Sequence, residues 1–397
     1  MNIGFDASRA FIPSRTGTEN YSYQLLKHLA KIDHHNQYLV YLRPNLATQG
    51  STLRGWPKNF KFITIPFKRL WTQVGLAKQT FQDSLDVLFV PAHTLPLIHK
   101  PGLKTVLTIH DLGAEYLPKM HQLKQRLYLK FMTNYQIKSA TKLIAVSNST
   151  KNDLISQVGV NGKKISVVYE GYDQDLFKPV KSDRLNSIVK QYDLKPKNYF
   201  LFVGTIQPRK NLARLILAYE QFLRRGGAEE GSRRLARIPS EVEGEDGRRD
   251  TGATGPRRDP HLVLVGNKGW SSEEIYQLPK KLGIGNQVKF LGFVPDQDLP
   301  ALYSGAQAFL FPSLYEGFGL PVLEAFACGT PVLTSNTSSL PEVAGKAAIL
   351  VNPTSVEEIS KGIAKLTTNH QLTKLGFEQI KKFSWEKAAR ETLDILM

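Results

Sequence analysis

The sequence predicts an α/β fold of two doubly wound, Rossmann-like domains, on three observations. Short apolar runs alternate with segments of helical periodicity, the pattern of a parallel sheet covered by helices on both faces. The alternation lapses over residues 171–193 and then restarts. The chain has 397 residues, 41% apolar and 22% charged, enough for two cores of ordinary composition.

In chain order, residues 3–5 form a short first strand ended by Asp6. A polar loop with Thr16, Gly17 and Thr18 follows, then a helix over 21–29 with Tyr21, Leu25, Leu26 and Leu29 on one face. Residues 38–42 and 60–65 are short, mostly apolar strands, and 85–90 and 105–109 are two more, each short and continuous as expected of strands buried on both faces. A helix over 123–140, a strand over 143–146, a helix over 147–158 capped by Ser147 or Ser149, and a strand over 165–168 complete the first half. The second half opens with a strand at 199–203, a polar loop at 204–211 and a helix at 212–223. Strands at 261–265, 288–290, 308–311, 332–333 and 348–350 follow, with helices at 296–304, 356–367 and 385–396. Residues 224–259 are rich in Gly, Arg, Glu and Pro and nearly lack aliphatic side chains. They predict a disordered insertion, since they cannot bury enough apolar surface to offset ordering entropy.

Composition narrows the function. The single cysteine, Cys328, precludes an intramolecular disulfide and fits a reducing compartment; it reads as a small buried residue at a helix end. There is no long apolar span, and the N-terminus opens as a strand rather than a leader, so a cytoplasmic location is expected. The net charge is +17, and residues 1–180 carry 23 Lys and Arg against 11 Asp and Glu. Such an excess admits an anionic membrane surface, an anionic substrate or a plain solvated surface; no nucleic-acid-binding motif accompanies it. Residues 66–81 mix Lys68, Arg69 and Lys78 with Phe67, Leu70, Trp71, Val74, Leu76 and Phe81. They read either as an interfacial amphipathic helix or as core packing.

The candidate site centres on residues 311–333, FPSLYEGFGLPVLEAFACGTPVL. Gly317 and Gly319 are expected to turn the backbone at positive φ and let a ligand approach. Pro321 suits a first helical turn, and Gly329 a helix end. A strand, a Gly-rich turn and a helix N-terminus together suit a phosphate. Glu316 and Glu324 lie eight positions apart. Eight helical residues rise about 12 Å, too far for a hydrolytic carboxylate pair. They fit better as hydroxyl acceptors at the two ends of one ligand. Arg209 and Lys210 follow a strand and precede a helix, where cations oppose the dipole unless an anion is bound. His110, with Asp111, ends a strand of the first half and could touch a substrate or be structural. No nicotinamide-nucleotide fingerprint, Walker A loop, serine elbow or zinc motif is present, and no metal is expected.

The run from Glu316 through Pro321 to Glu324, with Arg209, Lys210 and Asn211 upstream and His110-Asp111 in the first half, resembles the group 1 (family 4) glycosyltransferases of GT-B fold. Residues 334–345 fit as well, and the resemblance spans nearly all the chain outside 224–259. It implies two Rossmann-like domains facing a cleft: an acceptor-side domain at 1–175, a donor domain at 176–380 carrying the insertion 226–259, and a final helix in 381–397 packing back on the first. It implies retaining, metal-independent transfer of a hexosyl group, mannosyl foremost, from a GDP- or UDP-linked sugar, with no further cofactor. The acceptor would be a glycan or lipid-linked, in cell-envelope polysaccharide synthesis such as lipopolysaccharide, on the inner membrane face. A small soluble acceptor, or a non-catalytic nucleotide-sugar-binding protein, is the alternative. By resemblance Arg209 and Lys210 neutralise the diphosphate, Glu316 holds sugar hydroxyls, Glu324 holds ribose hydroxyls and His110 contacts the donor sugar. Gly204 and the backbone of Gly317, Phe318, Gly319 and Leu320 complete the donor site, and Gly17 meets the donor phosphate. The family loop often has two glycines where this chain has one.

Overall fold

The computed structural model describes residues 1–12, 15, 17–44, 55–92, 94–112, 134–235, 260–366, 369 and 371–397, with only the backbone over 226–235. Two sheets carry the fold. The first holds β1 (Asn2–Asp6), β2 (Gln37–Leu42), β3 (Phe60–Thr64), β4 (Val87–Val90), β5 (Lys104–Ile109), β6 (Lys142–Ala145) and β7 (Ile165–Val167). Their order is β3-β2-β1-β4-β5-β6-β7, all parallel. The second holds β8 (Tyr199–Val203), β9 (His261–Val265), β10 (Val288–Gly292), β11 (Ala308–Phe311), β12 (Val332–Ser335) and β13 (Ala348–Val351). Its order is β10-β9-β8-β11-β12-β13, again parallel. β4 and β11 are buried at every residue, which is why they read as unbroken apolar runs. Strand order reverses between β1 and β4 and between β8 and β11. Doubly wound sheets bind ligands outside the carboxyl ends of the strands at such points.

The carboxyl edges of the sheets face each other. His110 leaves β5, Gly317 lies beyond β11, and a Cβ on Gly317 would stand 2.0 Å from the His110 carbonyl oxygen. The last helix, Trp385–Leu396, starts at Ser384, whose hydroxyl accepts from the Lys387 N–H. It returns to the first domain: the Trp385 ring lies 5.7 Å from that of Tyr21, and Lys142 Nζ donates to the Ile395 carbonyl at 2.9 Å.

Several expectations need correcting. The helix opening at Leu212 runs to Leu235, so the first part of the predicted disordered insertion is helical. Its remainder, 236–259, lies outside the described residues, as do Thr16 and most of the helix expected at 123–140. Within 171–193, where the sequence alternation lapses, the chain forms the helix Ser182–Gln191. Residues 66–81 hold a wide π-type turn, Trp71–Leu76, and a short helix, Ala77–Gln82. Trp71 and Leu76 are core, but Leu70, Val74 and Phe81 are exposed. Among the described residues no helix is long and apolar enough to cross a membrane.

Candidate active site

Arg209 and Lys210 sit on a 3-10 turn, Pro208–Lys210, directly after β8. The turn is held by Asn211, in left-handed conformation at φ 62°, whose amide donates to the Pro312 and Pro353 carbonyls at 2.9 and 2.6 Å. The Leu314 N–H donates to the Arg209 carbonyl, tying this turn to the one after β11. Gly204 leaves β8 at φ 150°, and a Cβ there would press on the Phe202 ring at 3.2 Å and touch Lys210 Cε at 3.6 Å.

Glu316 joins the two cations. Lys210 Nζ donates to its Oε1 at 2.7 Å, and Arg209 Nη1 lies 3.9 Å from its Oε2. Lys210 also stands over the Phe311 ring, 4.8 Å from its centroid. Glu316 thus balances part of the charge of the two cations within the site. Arg209 reaches across the cleft as well, donating to Asp111 Oδ2 at 3.1 Å. Burial disfavours the charge of Lys210 and brings its pKa below the ordinary value, although Glu316 pulls the other way. Burial also opposes the charge of Arg209, but Glu316 and Asp111 outweigh it and raise the pKa.

The turn after β11 is fixed from outside. Ser338 Oγ accepts from the Glu316 N–H at 3.0 Å, and Ser339 Oγ donates to the Glu316 and Phe318 carbonyls. Gly319 has φ 111° and caps the helix Leu320–Ala327, with Pro321 in its first turn. Gly317 lacks the positive φ expected of it. It is small because the His110 carbonyl would collide with a side chain. The Phe318 ring packs against Tyr169 and Phe383, so that residue can offer a ligand only its backbone. The helix starts at Leu320, so the Glu316–Glu324 separation is not that of eight helical residues.

His110 is buried beside Glu170, whose Oε1 lies 3.3 Å from Nδ1, and beside the Pro91 carbonyl, 2.9 Å from Nε2. Tyr21 meets its ring edge-on at 4.6 Å. Thr150 Oγ1 lies 3.2 Å from the His110 carbonyl and 3.4 Å from that of Gly317, bridging the domains. Gly17 begins the first helix, Gly17–Ile32, and its Cβ position meets open space, so packing does not demand glycine there. Sequence reasoning misses Glu170, Thr150, Ser338 and Ser339 as site residues, and the pairing of Asp111 with Arg209, because each acts through a partner more than twenty positions away. Among the described residues no three His, Cys, Asp or Glu gather as a metal site would require.

Glu324 stands apart, its Oε2 accepting from Tyr303 OH at 2.9 Å. Burial, with Asp296 and Asp173 nearby, pushes its pKa up to about 7 despite that bond. A carboxyl raised from 4.5 stabilises the fold while protonated, and that contribution is lost as pH rises from about 4.5 through about 7. Wild-type stability should therefore decline across this window relative to Glu324→Gln, by at most about 1.4 kcal/mol per pH unit. Urea melts of both proteins at pH 5, 6, 7 and 8 check this; parallel profiles would contradict it.

Two facing doubly wound sheets with a cationic, carboxylate-bearing cleft between them define the GT-B fold. The family model for glycosyl transferases group 1 matches residues 252–383, and that for glycosyltransferase family 4 matches 15–176. O-antigen chain mannosyltransferase B of Escherichia coli is 30% identical over 295 residues, 73% of this chain and 69% of that protein. The chain belongs to the group 1 glycosyltransferases and is a glycosyltransferase enzyme. The serotype-specific mannosyltransferase WbdA of E. coli is 29% identical over 313 residues, 77% of this chain but only 34% of WbdA. Among solved structures, HepE from Anabaena in complex with UDP and glucose superposes with TM-score 0.68 at 20% identity, covering 100% of this chain and 99% of HepE.

Proposed function

We propose that the protein moves a mannosyl group, with retention and without a metal, from a GDP- or UDP-linked sugar to a glycan or lipid-linked acceptor in cell-envelope polysaccharide synthesis. The observation that carries this is the Arg209–Lys210–Glu316 cluster at the carboxyl ends of β8 and β11, set against His110 and Asp111. Two relatives named as mannosyltransferases support the sugar, and a UDP-bound structural neighbour supports a nucleotide donor. When the bond from the sugar to the diphosphate breaks, negative charge grows on the departing phosphate. Arg209, Lys210 and the N-terminus of Leu320–Ala327 stabilise it more than they stabilise the intact donor. Glu316 exchanges its cation contacts for donor-sugar hydroxyls as the diphosphate arrives. His110 contacts that sugar from the other domain, and Glu324 takes the ribose hydroxyls. Gly204, the 317–320 backbone and Gly17 line the phosphate.

A thermal-shift screen of GDP- and UDP-sugars tests the donor, because a ligand of the native state raises the melting temperature. GDP-mannose or UDP-mannose should give the largest shift, and release of the nucleoside diphosphate should follow on adding acceptor. A nucleotide-sugar that binds but is never turned over would favour the non-catalytic alternative.

The enzyme works on the cytoplasmic face of a membrane. What supports this is a surface where exposed Leu70, Val74, Phe81 and Ile98 lie among exposed Lys68, Arg69, Lys78 and Lys100. Gln73 bonds the backbone of Leu95 and Leu97, holding the two segments together. Sedimentation with liposomes should show binding to anionic but not neutral vesicles, weakened by salt. Absent or salt-insensitive binding would remove this part of the proposal.

A further inference from the structure

The short helix Asn148–Asp153 of the first domain is held at both ends by side chains of the second. At its start, Glu342 Oε2 accepts from the backbone N–H and the side-chain amide of Asn148, both at 3.0 Å. Glu342 Oε1 accepts from the Ser149 N–H at 3.0 Å, and Tyr169 OH donates to Oε2 at 3.0 Å. At its end, Tyr315 OH donates to Asp153 Oδ2 at 2.7 Å, while Gln157 Nε2 holds Oδ1 at 2.9 Å. Between these ends, Thr150 meets the Gly317 carbonyl.

Two features tie this grip to the chemistry. The first N–H groups of a helix have no partner inside it. Ser147 accepts from the Thr150 N–H, but those of Asn148 and Ser149 go to Glu342, so the opposite domain completes the helix start. The second feature is the place of Tyr315, one peptide bond before Glu316. Its carbonyl accepts from Arg209 Nη1 at 3.4 Å. Its side chain is only 7% exposed, and the phenol bonds the Leu112 backbone as well as Asp153. Leu112 directly follows His110 and Asp111. One residue is thus anchored by its side chain in the first domain and by its backbone beside Glu316 and Arg209.

We infer that Tyr315 and Glu342 are positioning residues for sugar transfer: gripping the helix Asn148–Asp153, they hold Glu316 and Arg209 in register with His110. The inference rests on the proposed transfer reaction and names what aligns its two halves. Each acts through a first-domain partner rather than on the sugar: Tyr315 through Asp153, Glu342 through Asn148 and Ser149. Losing one such bond loosens the register without removing any group that binds the diphosphate. Rate depends steeply on such alignment, whereas affinity for the nucleotide does not.

The test uses the full-length protein, releasing nucleoside diphosphate from GDP-mannose and UDP-mannose with methyl α-mannoside present, assayed well below each variant's melting temperature. Tyr315→Phe keeps the ring and deletes the hydroxyl. It should lower kcat about tenfold, the effect of one lost hydrogen bond to a charged group. Glu342→Gln should do the same, because its amide turns N–H donors toward the N–H groups of Asn148 and Ser149. Donor KM, and GDP or UDP affinity by calorimetry, should stay within about threefold of wild type in both variants. Asp153→Ala should match Tyr315→Phe, and the two combined should be no worse than either, because both delete the same bond. A purely structural contact would instead lower the melting temperature and leave kcat of the folded protein unchanged. For either residue, a variant with kcat within about twofold of wild type overturns the inference. So does a loss of nucleotide affinity equal to the loss of kcat, or losses of Tyr315→Phe and Asp153→Ala that multiply in the double variant. If the wild type releases no nucleoside diphosphate from either sugar, the proposed donor is wrong, and this assignment falls with it.

Discussion

Lys210→Ala should lower the rate of sugar transfer about 100- to 1,000-fold, the usual effect of deleting one charge-stabilising donor. Lys210 Nζ is buried 2.7 Å from Glu316, so water cannot readily replace it when the diphosphate departs. The substitution has a second effect. It leaves Glu316 buried with only Arg209 nearby, at 3.9 Å, and breaking a buried pair costs on the order of 3–5 kcal/mol. Activity could therefore fall through instability alone. Lys210→Ala with Glu316→Gln isolates the stability effect: removing the uncompensated charge should restore the melting temperature, while the role of Lys210 in transfer is read from Lys210→Ala assayed well below its own melting temperature. Steady-state release of nucleoside diphosphate with acceptor, beside melting curves, reads both quantities. Transfer by Lys210→Ala within about tenfold of wild type would remove Lys210 from the charge-stabilising role.

The fold was legible because its central strands are buried on both faces. Runs such as 199–203 and 308–311 have no polar interruption and match β8 and β11. The site was legible only where function leaves a local mark. Adjacent cations before a helix, and glycines around a turn before Pro321, are visible within a few residues. Partners from other strands are not. Nothing near Asp111 in the chain marks it as the residue Arg209 will meet, and nothing near Thr150 shows that it bridges His110 and Gly317. The two glycines also looked alike in sequence. Only the structure separates Gly319, which needs its backbone angle, from Gly317, which needs space. The basic helix at 212–235 was cut short because its last turns lack the apolar stripe by which a helix is recognised.

That difference between the glycines yields the other large effect. An alanine Cβ at 317 would lie 2.0 Å from the His110 carbonyl oxygen and 3.1 Å from Asp111 Cβ, and both belong to the opposite domain. The collision cannot be relieved by a rotamer, because the His110 partner is backbone and its ring is held by Glu170 and Pro91. The domains must instead separate, which breaks the Thr150 bridge and the 3.1 Å Arg209–Asp111 contact. A displacement of about 1 Å between reacting groups can cost about 100-fold in rate. Gly317→Ala should therefore lose transfer by at least about that factor, keep nucleotide binding, and lose less melting temperature than Gly319→Ala, because each sheet keeps its own strand pairing although the buried apolar cluster runs across both domains. Gly319→Ala bears the larger loss of stability. Its strain, from φ 111° and a 2.9 Å approach to Leu340 Cδ2, lies within one domain, so the melting temperature falls. Small-angle scattering provides the independent check: Gly317→Ala should enlarge the radius of gyration and Gly319→Ala should not. A Gly317→Ala protein as compact and as active as wild type would mean that the closed approach of His110 to the donor turn is not the arrangement in which the sugar is transferred.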